Sequence, residues 1–340
     1  MNWDSVKKQN RTLKQASELV RSVRHPLLIC HVSPDGDAVG SLMGLGLALR
    51  QMGLVPTMAC SDSIPHRFNY VPGVDAVVRN VSDAFDLVIS VDSSDLKRLG
   101  HFPQMPAFAS VPLLNIDHHL TNLYFGDVNL VDPQASSAAE VVLRLLEYMS
   151  VPLDADVATC LLTGIVTDTR GFRTSNVTIQ VMEAALQLME AGASLPYITH
   201  HGFNRRPTAV ILLWSAALRH LQIRDRVIWA SIPQAMRREV GYAGNGDAGL
   251  ASFLVSADDA DVAAVFVEGE DGRIEVGLRA VPGFDVAQVA LQFGGGGHAL
   301  AAGCTLSGPM EDAQAQTLAA LQADLSRQRR AQDPERTDGP

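Results

Sequence analysis

Short, mainly apolar runs in the first part of the chain end at acidic or histidine residues, and this alternation restricts the fold more than any other feature. Buried strands are predicted at residues 27–32, 55–60, 87–92 and 111–117, with helical or polar segments between them. Such runs are typical of parallel strands that are covered on both faces by helices. The sequence therefore predicts an α/β fold whose N-terminal part is an open parallel sheet.

Apolar residues at intervals of three and four predict the helices around this sheet. Predicted helices cover residues 5–23, the segment after Pro34-Asp35-Gly36-Asp37 as far as Met52, and residues 136–149, 154–167 and 177–189. The patterning changes after Ala191–Pro207, which contains two glycines and two prolines. A linker is therefore expected at residues 191–220, between a catalytic domain at residues 1–190 and a second domain.

The second domain is predicted to be smaller and also α/β, over residues 221–328. Its expected elements are strands at residues 227–232, 262–268 and 274–280, a helix at 286–293, a tight glycine loop at 294–297 and a closing helix at 311–328. The polar tail at residues 329–340 is expected to be disordered.

Charge and hydropathy exclude several kinds of partner. The 340 residues contain 27 Lys and Arg against 37 Asp and Glu, a formal net charge of −10. Proteins that bind long duplex nucleic acid carry a broad basic surface, whereas the basic cluster here is confined to residues 327–330. The longest apolar stretches, residues 41–49 and 157–166, are shorter than the roughly 18 residues of a membrane span. Neither long duplex nucleic acid nor a membrane is expected as a partner.

The cellular location and the assembly follow less directly from the sequence. Four cysteines lack a Cys-x-x-Cys pair, and the N-terminus has no apolar segment behind its positive charges. These features predict a cytoplasmic protein without a signal peptide. A homodimer is kept as a candidate assembly.

Four segments with Asp and His are predicted to end strands, and ligands of open parallel sheets bind at the carboxyl ends of strands. The segments contain His31, Asp35 and Asp37; Asp92; Asp117, His118 and His119; and Asp168. Five carboxylates within a few ångströms of one another would be strongly destabilised without cations. Carboxylate and imidazole ligands favour Mn²⁺, with Mg²⁺ or Co²⁺ as substitutes. Two such ions would activate water for phosphoester hydrolysis.

Each motif also has a simpler structural interpretation. Asp35 alone would be a helix N-cap, His31 a packed side chain, and the glycine run a flexible connector. Ser136 and Ser137 predict an N-cap whose amides could also meet an anion. Solvated side chains are expected at His200, His201, Arg205 and Arg206, and Arg173 and Asn176 are weak candidates for substrate contact.

The segments HVSPDGDAVGS, VDSSD, DHH and TDTRGF resemble, in order and spacing, the four motifs of the DHH phosphoesterases. FGGGGHALAAG resembles the glycine-rich motif of their C-terminal DHH-associated domain. The resemblance covers roughly residues 26–325. Within the family, the sequence most resembles the oligoribonuclease and 3′-phosphoadenosine-5′-phosphate phosphatase branch. It implies a DHH domain and a DHH-associated domain that face each other across a cleft.

The resemblance also implies residue roles. His31 and Asp35 would bind one metal, Asp37, His118 and Asp168 the other, and Asp92 would bridge them. His119 would touch the scissile phosphate, and Asp117 would orient the neighbouring histidines. The substrate's far end would be held by Arg279, Gly295, Gly296, Gly297 and His298. Arg170 occupies a position where many relatives of this branch have glycine, which leaves the adjacent pocket wall undefined.

The expected function is hydrolysis of short oligoribonucleotides to 5′-mononucleotides, together with removal of a phosphate from 3′-phosphoadenosine-5′-phosphate. A cyclic-dinucleotide or linear-dinucleotide phosphodiesterase of the same family is the main alternative. A pyrophosphatase is disfavoured because GGGGH replaces its lysine-rich motif, and a DNA exonuclease because no additional strand-binding domain is evident. A non-catalytic nucleotide sensor is disfavoured because none of the six metal ligands is missing.

Overall fold

The structure, a computed structural model, describes residues 3–81, 84–244 and 246–332. The chain divides into two compact units between Arg205 and Arg206. This division falls inside the predicted linker, much of which is helical.

The first unit contains a five-stranded, wholly parallel sheet, which confirms the predicted α/β class. The sheet order is β2-β1-β3-β4-β5. Strands β1, β3 and β4 are fully buried. The fifth strand was not predicted, because it is short, lies at the sheet edge and is only partly buried. The strands are β1 (Pro26–Cys30), β2 (Thr57–Ala59), β3 (Leu87–Val91), β4 (Leu113–Asp117) and β5 (Val128–Val131).

Helices pack around this sheet over a large apolar core. A five-residue π-helix, His200–Asn204, follows the last of them, and a short 3₁₀ helix, His66–Phe68, packs against it. The helices are α1 (Trp3–Arg21), α2 (Gly36–Gln51), α3 (Ala138–Tyr148), α4 (Ala155–Asp168), α5 (Ile179–Glu190) and α6 (Leu195–Thr199).

Helices α2 and α4 approach each other closely through glycines. A Cβ atom on Gly40 would lie 2.5 Å from the carbonyl oxygen of Cys160 and 2.7 Å from the amide nitrogen of Gly164. A Cβ atom on Gly36 would lie 2.4 Å from Thr167 Oγ1. Since no side chain fits at these positions, the glycines bring the N-terminus of α2 beside the C-terminus of α4.

The second unit contains a mixed six-stranded sheet of order β10-β11-β9-β8-β7-β6. One parallel pair, β7 with β8, interrupts an otherwise antiparallel arrangement. Apolar clusters cover both faces. Its strands are β6 (Gln222–Arg224), β7 (Val227–Ile232), β8 (Val262–Glu268), β9 (Ile274–Ala280), β10 (Gly296–His298) and β11 (Ala301–Leu306). Its helices are α7 (Thr208–Leu218), α8 (Gln234–Glu239), α9 (Leu250–Leu254), α10 (Ala287–Gln292) and α11 (Met310–Gln332).

Two predictions for this unit were wrong in detail. Gly296 and Gly297 belong to the edge strand β10 rather than to a loop, because they pair with β11. Helix α11 continues through residues 329–332, which were expected to be disordered. Arg329 donates a 2.8 Å hydrogen bond to Asp261, a contact that holds this end of the helix. The rest of the predicted tail, residues 333–340, lies outside the described residues. Within the described ranges, no helix combines the length and hydropathy needed to cross a membrane.

Candidate metal centre

The carboxyl ends of three adjacent strands place Asp and His at one edge of the parallel sheet. His31 directly follows β1, Asp92 follows β3, and Asp117 ends β4. Asp92 has a left-handed backbone with φ of 55°, and its amide donates a 2.9 Å hydrogen bond to the carbonyl of Ile116. Because the neighbouring strand holds this turn, the Asp92 backbone is fixed where β3 ends.

Two further carboxylates come from the start of α2. Asp35 is the N-cap of the helix, with Oδ1 3.0 Å from the Asp37 amide, so its simpler interpretation as a cap also holds. Asp37 is buried, and its two oxygens accept hydrogen bonds from the amides of Ala138 and Ala139 at 2.6 and 3.0 Å. These are the first amides of α3, whose partial positive charge favours a carboxylate. The packing of α2 against α3 therefore orients Asp37.

Asp168 reaches the same edge from a different kind of element than expected. It is the last residue of helix α4, not the end of a strand. The helix itself was predicted, at residues 154–167, and only the assignment of Asp168 to a strand end was wrong. The contact between α2 and α4 brings Asp168 to the strand ends.

Together these residues form three overlapping sets whose ligand atoms lie within 4.8 Å of one another. Asp92 belongs to two of these sets. Its Oδ2 is 3.4 Å from His31 Nε2, and its Oδ1 is 3.7 Å from His118 Nε2. His118 Nε2 also lies 3.8 Å from Asp37 and 3.6 Å from Asp168. The sets are His31, Asp35 and Asp92; Asp92, His118 and His119; and Asp37, His118 and Asp168.

The electrostatics of this cluster favour a bound divalent cation. Burial, together with the charges of Asp92 and Asp168, holds the pKa of Asp37 well above its usual value. Burial also raises the pKa of Asp168 to about 6. Asp92 Oδ1 is buried, and among the described residues none donates a hydrogen bond to it. A divalent ion would neutralise these carboxylates and give the buried oxygen a partner.

His31 is oriented to bind such an ion. Its Nδ1 lies 2.7 Å from the carbonyl of Val32, which accepts a hydrogen bond from that nitrogen and leaves Nε2 directed at Asp92. Although burial acts in the opposite direction, the hydrogen bond to Asp92 raises the pKa of His31. A metal ion can take the place of the proton on Nε2, because ligands must be deprotonated to bind metal. The donor set therefore fits a hard or borderline divalent cation.

His119 is held by a chain of polar contacts. Its Nδ1 lies 2.7 Å from Asp117 Oδ1, a contact that raises the pKa of His119 to about 9. The other oxygen of Asp117 accepts a 2.5 Å hydrogen bond from Asn122 Nδ2, which also bonds the carbonyl of Ser93. Asn122 was not predicted; its signal is an amide side chain five residues after Asp117 in the same polar segment. At neutral pH the imidazole of His119 carries a proton.

The other residues considered in this unit have structural partners. The amides at the start of α3 cannot meet an anion, because Asp37, Glu140 and the N-cap Ser137 occupy them. His201 is not simply solvated, because its ring lies 4.2 Å from that of Tyr197. Arg173 and Asn176 donate hydrogen bonds to backbone carbonyls of the same unit.

In the second unit, the predicted substrate residues share part of the sheet. Arg279 on β9 pairs with Ala301 on β11, which in turn pairs with His298 on β10. The Arg279 guanidinium donates hydrogen bonds to Ser252 Oγ and the Leu278 carbonyl at 3.1 and 2.8 Å. Cβ atoms on Gly295 and Gly297 would lie 2.1 and 2.5 Å from backbone oxygens of β11. Close packing against β11 is therefore enough to require glycine at positions 295 and 297.

Comparison with known proteins places both units in one family. Residues 26–165 match the model of the DHH family, N-terminal domain, and residues 240–327 match that of the DHHA1 domain. The chain belongs to the DHH family. The predicted resemblance is thereby confirmed, and the sheet edge described above lies in its DHH domain.

Relatives of this DHH-family chain include named enzymes. The bifunctional oligoribonuclease and PAP phosphatase NrnA of Thermus thermophilus is 29% identical over 93% of this chain and 95% of its own length. An exopolyphosphatase-related protein from Bacteroides fragilis is 23% identical, with a TM-score of 0.84 over 92% of this chain and 96% of its own. The cyclic-di-AMP phosphodiesterase GdpP of Bacillus subtilis is 29% identical over 57% of this chain, but over only 29% of its own length.

Proposed function

We propose that this DHH-family protein is a metal-dependent phosphoesterase that hydrolyses short oligoribonucleotides to 5′-mononucleotides and removes a phosphate from 3′-phosphoadenosine-5′-phosphate. The observation that carries the proposal is Asp92, whose two oxygens face different histidines, His31 and His118, at 3.4 and 3.7 Å. A carboxylate in this position suits a pair of ions that share one ligand. The name of the NrnA relative, which matches over nearly the whole length of both chains, supports the substrate class.

Two divalent ions, most consistent with Mn²⁺, would occupy the centre, with Mg²⁺ or Co²⁺ as substitutes. His31 and Asp35 would hold one ion and Asp37, His118 and Asp168 the other, with Asp92 between them. The ligands are imidazole nitrogens and carboxylate oxygens without a thiolate, which favours Mn²⁺ over softer metals. When bound, the ions supply an activated water and neutralise charge on the phosphoryl group.

The chain's own residues would bind and orient the phosphate. In the metal-free protein Asp117 raises the pKa of His119 to about 9, which favours the imidazolium form. Its imidazolium can donate a hydrogen bond to a phosphate oxygen or a proton to the leaving oxygen. Asp117 and Asn122 hold the ring in one orientation through hydrogen bonds of 2.7 and 2.5 Å. His119 thus acts on the substrate, and Asp117 acts through His119.

The DHHA1 domain would hold the part of the substrate that is distant from the reacting phosphate. Arg279 and His298 belong to one row of paired residues on neighbouring strands, and both side chains can bind an anion. Gly295, Gly296 and Gly297 would let backbone amides approach a phosphate closely. A second recognition site of this kind would limit productive substrates to a few nucleotides.

Product analysis tests the proposal. The purified protein is incubated with Mn²⁺ and a panel of di- to hexaribonucleotides, 3′-phosphoadenosine-5′-phosphate and cyclic dinucleotides, and products are separated by ion-exchange chromatography. We expect 5′-mononucleotides and AMP, no product after chelation, and no product from Asp92→Asn. Asn is a suitable replacement because it has nearly the same shape and tolerates the left-handed backbone of Asp92.

Other outcomes of the same experiment exclude the proposal. Turnover of cyclic dinucleotides in preference to every linear substrate would favour the alternative phosphodiesterase, which the partial match to GdpP supports less strongly. If no substrate is turned over with Mn²⁺, or when the experiment is repeated with Mg²⁺ and Co²⁺, a nucleotide sensor is favoured. Full activity of Asp92→Asn would refute the role of this carboxylate.

Location and assembly complete the proposal. A cytoplasmic location agrees with Cys30, Cys60, Cys160 and Cys304, all of which are free and buried. A homodimer is proposed as the assembly, and light scattering coupled to size-exclusion chromatography measures its mass directly.

A further inference from the structure

A small recess opens beside the metal centre, entirely within the first unit. Its volume is about 150 Å³, and the proposed metal ligands Asp35 and Asp168 form one side. The remaining lining includes Arg67, Thr167 and Phe203. None of these three residues has a role in the proposed chemistry at the metal centre.

We propose that this recess binds the nucleobase of the nucleotide whose phosphate lies at the metal centre. This inference rests on the proposed function and specifies where its substrate binds. A cavity of about 150 Å³ is large enough for one six-membered aromatic ring. Because two of its lining residues are ligands of the metal centre, a ring in the recess would be next to a phosphate bound there.

The lining matches the chemistry of a base. Single-stranded nucleotides are recognised by stacking on aromatic rings and on guanidinium planes, and the recess has one of each in Phe203 and Arg67. The guanidinium carbon of Arg67 lies 4.7 Å from the ring centroid of Phe68, which is buried, so packing restricts the guanidinium before any ligand arrives. Thr167 Oγ1 donates to the Thr163 carbonyl at 2.8 Å and can still accept a hydrogen bond from a base amino group.

Charge argues for a base rather than a second phosphate. The lining contains two carboxylates, Asp35 and Asp168, and one cation, Arg67. With both carboxylates committed to the metal ions, Arg67 is the one cation among these lining residues that could meet a second phosphate, and it already packs on Phe68. Arg67 therefore serves better as a stacking partner than as the centre of an anion site.

The backbone around Phe203 is irregular in two independent places. Phe203 and Gly202 belong to the π-helix, a form that occurs frequently at functional sites. The loop after Asp168 has three consecutive left-handed residues, Arg170, Gly171 and Phe172, with φ of 51°, 74° and 63°. Left-handed backbone is unfavourable for a non-glycine residue.

This loop also contacts the recess wall. A Cβ atom on Gly171 would lie 3.9 Å from Cε2 of Phe203, so the strained loop lies next to the ring. Strain of this kind persists where the surrounding structure enforces it, and it is concentrated at ligand sites. Gly202 and Phe203 of the π-helix therefore line the recess, and the loop lies behind the Phe203 ring without lining the recess itself.

Two ligands that differ only in the base provide the test. Isothermal titration of the Mn²⁺-loaded protein gives dissociation constants for cytidine 5′-monophosphate and for ribose 5-phosphate. Stacking of one base contributes about 1–3 kcal/mol, so the nucleotide should bind about 5- to 150-fold more tightly. Phe203→Ala should bring this ratio close to one without changing the affinity for ribose 5-phosphate. Arg67→Lys, which keeps the charge and loses the plane, should reduce the ratio partly.

Controls separate a lost base contact from general damage. Each variant must retain the wild-type melting temperature and Mn²⁺ stoichiometry; if Phe203→Ala does not, Phe203→Leu replaces it. Tyr148→Ala removes an aromatic side chain that is 45% exposed at the end of α3 and should leave the ratio unchanged.

The outcomes also separate this inference from the proposed function. Equal weakening of both ligands in Phe203→Ala, or a wild-type ratio near one, would overturn the base site even if the enzyme cleaves oligoribonucleotides. A ratio that collapses in the variant supports the base site even if no oligoribonucleotide is cleaved, in which case only the proposed reaction fails.

Discussion

The approach of Gly40 in α2 to the backbone of α4 gives a prediction whose sign is opposite to that of helix propensity. Gly40→Ala would place a Cβ atom 2.5 Å from the carbonyl oxygen of Cys160, about 0.9 Å short of ordinary contact distance. Both near atoms, including the Gly164 nitrogen at 2.7 Å, belong to backbone. They cannot rotate away, so the helices must separate.

The magnitude follows from two opposing terms. Overpacking a close contact costs up to about 3 kcal/mol, whereas alanine gains about 1 kcal/mol over glycine inside a helix. The net loss of about 2 kcal/mol corresponds to a melting temperature lower by roughly 4–8 °C for a unit of this size. A shift of nearly 1 Å between Asp37 on α2 and Asp168 on α4 also exceeds the roughly 0.2 Å tolerance of metal–ligand distances. We expect turnover to fall about 100-fold.

Differential scanning fluorimetry, Mn²⁺ titration and oligoribonucleotide hydrolysis measure these three effects. Gly46→Ala is the matched control in the same helix, because its Cβ would meet the flexible Met58 side chain, with Sδ at 2.7 Å, instead of α4. The control should keep its Mn²⁺ affinity and turnover. A Gly40→Ala protein that is as stable and as active as the wild type would refute the conclusion that this contact sets the ligand spacing.

Three further predictions concern the site itself. Asp92→Asn should reduce Mn²⁺ stoichiometry in calorimetry and abolish turnover. Arg279→Ala should instead mainly raise KM. Equal, mild effects of the two substitutions on turnover would contradict the assigned roles. Asn122→Ala should lower kcat more than it changes KM, because Asp117 loses the 2.5 Å hydrogen bond that orients it; an unchanged kcat would exclude this positioning role. In metal-free protein the pKa of His119 is raised to about 9, so the stability it contributes is complete below pH 6.5 and is lost as the pH rises through 9. The stabilities of metal-free wild type and His119→Gln in chemical denaturation should therefore differ most below pH 6.5 and least above pH 9, and parallel pH profiles would contradict the coupling.

The geometry of the parallel sheet explains why much of the fold could be predicted. Residues at the carboxyl ends of β1, β3 and β4 must share an edge once the strands are parallel and adjacent, so His31, Asp92 and Asp117 were expected together. The positions of the apolar runs and of the residues that end them were sufficient for that inference. The roles of His31 and Asp92 as metal ligands, and of Asp117 in orienting the neighbouring histidines, remain predictions.

Other features depend on contacts that sequence patterns do not encode. The helix before Asp168 was predicted, but Asp168 comes to the strand ends only because this helix, α4, packs against α2. Asn122 matters only because its amide reaches Asp117 through a turn of the chain. The role of Gly40 is visible only when α4 lies against it. In each case tertiary packing supplies the information.

The two ends of the metal centre differ in how freely evolution can exchange their ligands. Asp37 satisfies two backbone amides of α3, and a histidine in its place would leave both without an acceptor. Asp35 is 53% exposed and caps its own helix, a task that Asn or Ser performs equally well. Drift toward a different metal preference is therefore easiest at Asp35, while Asp37 is constrained by folding as well as by chemistry.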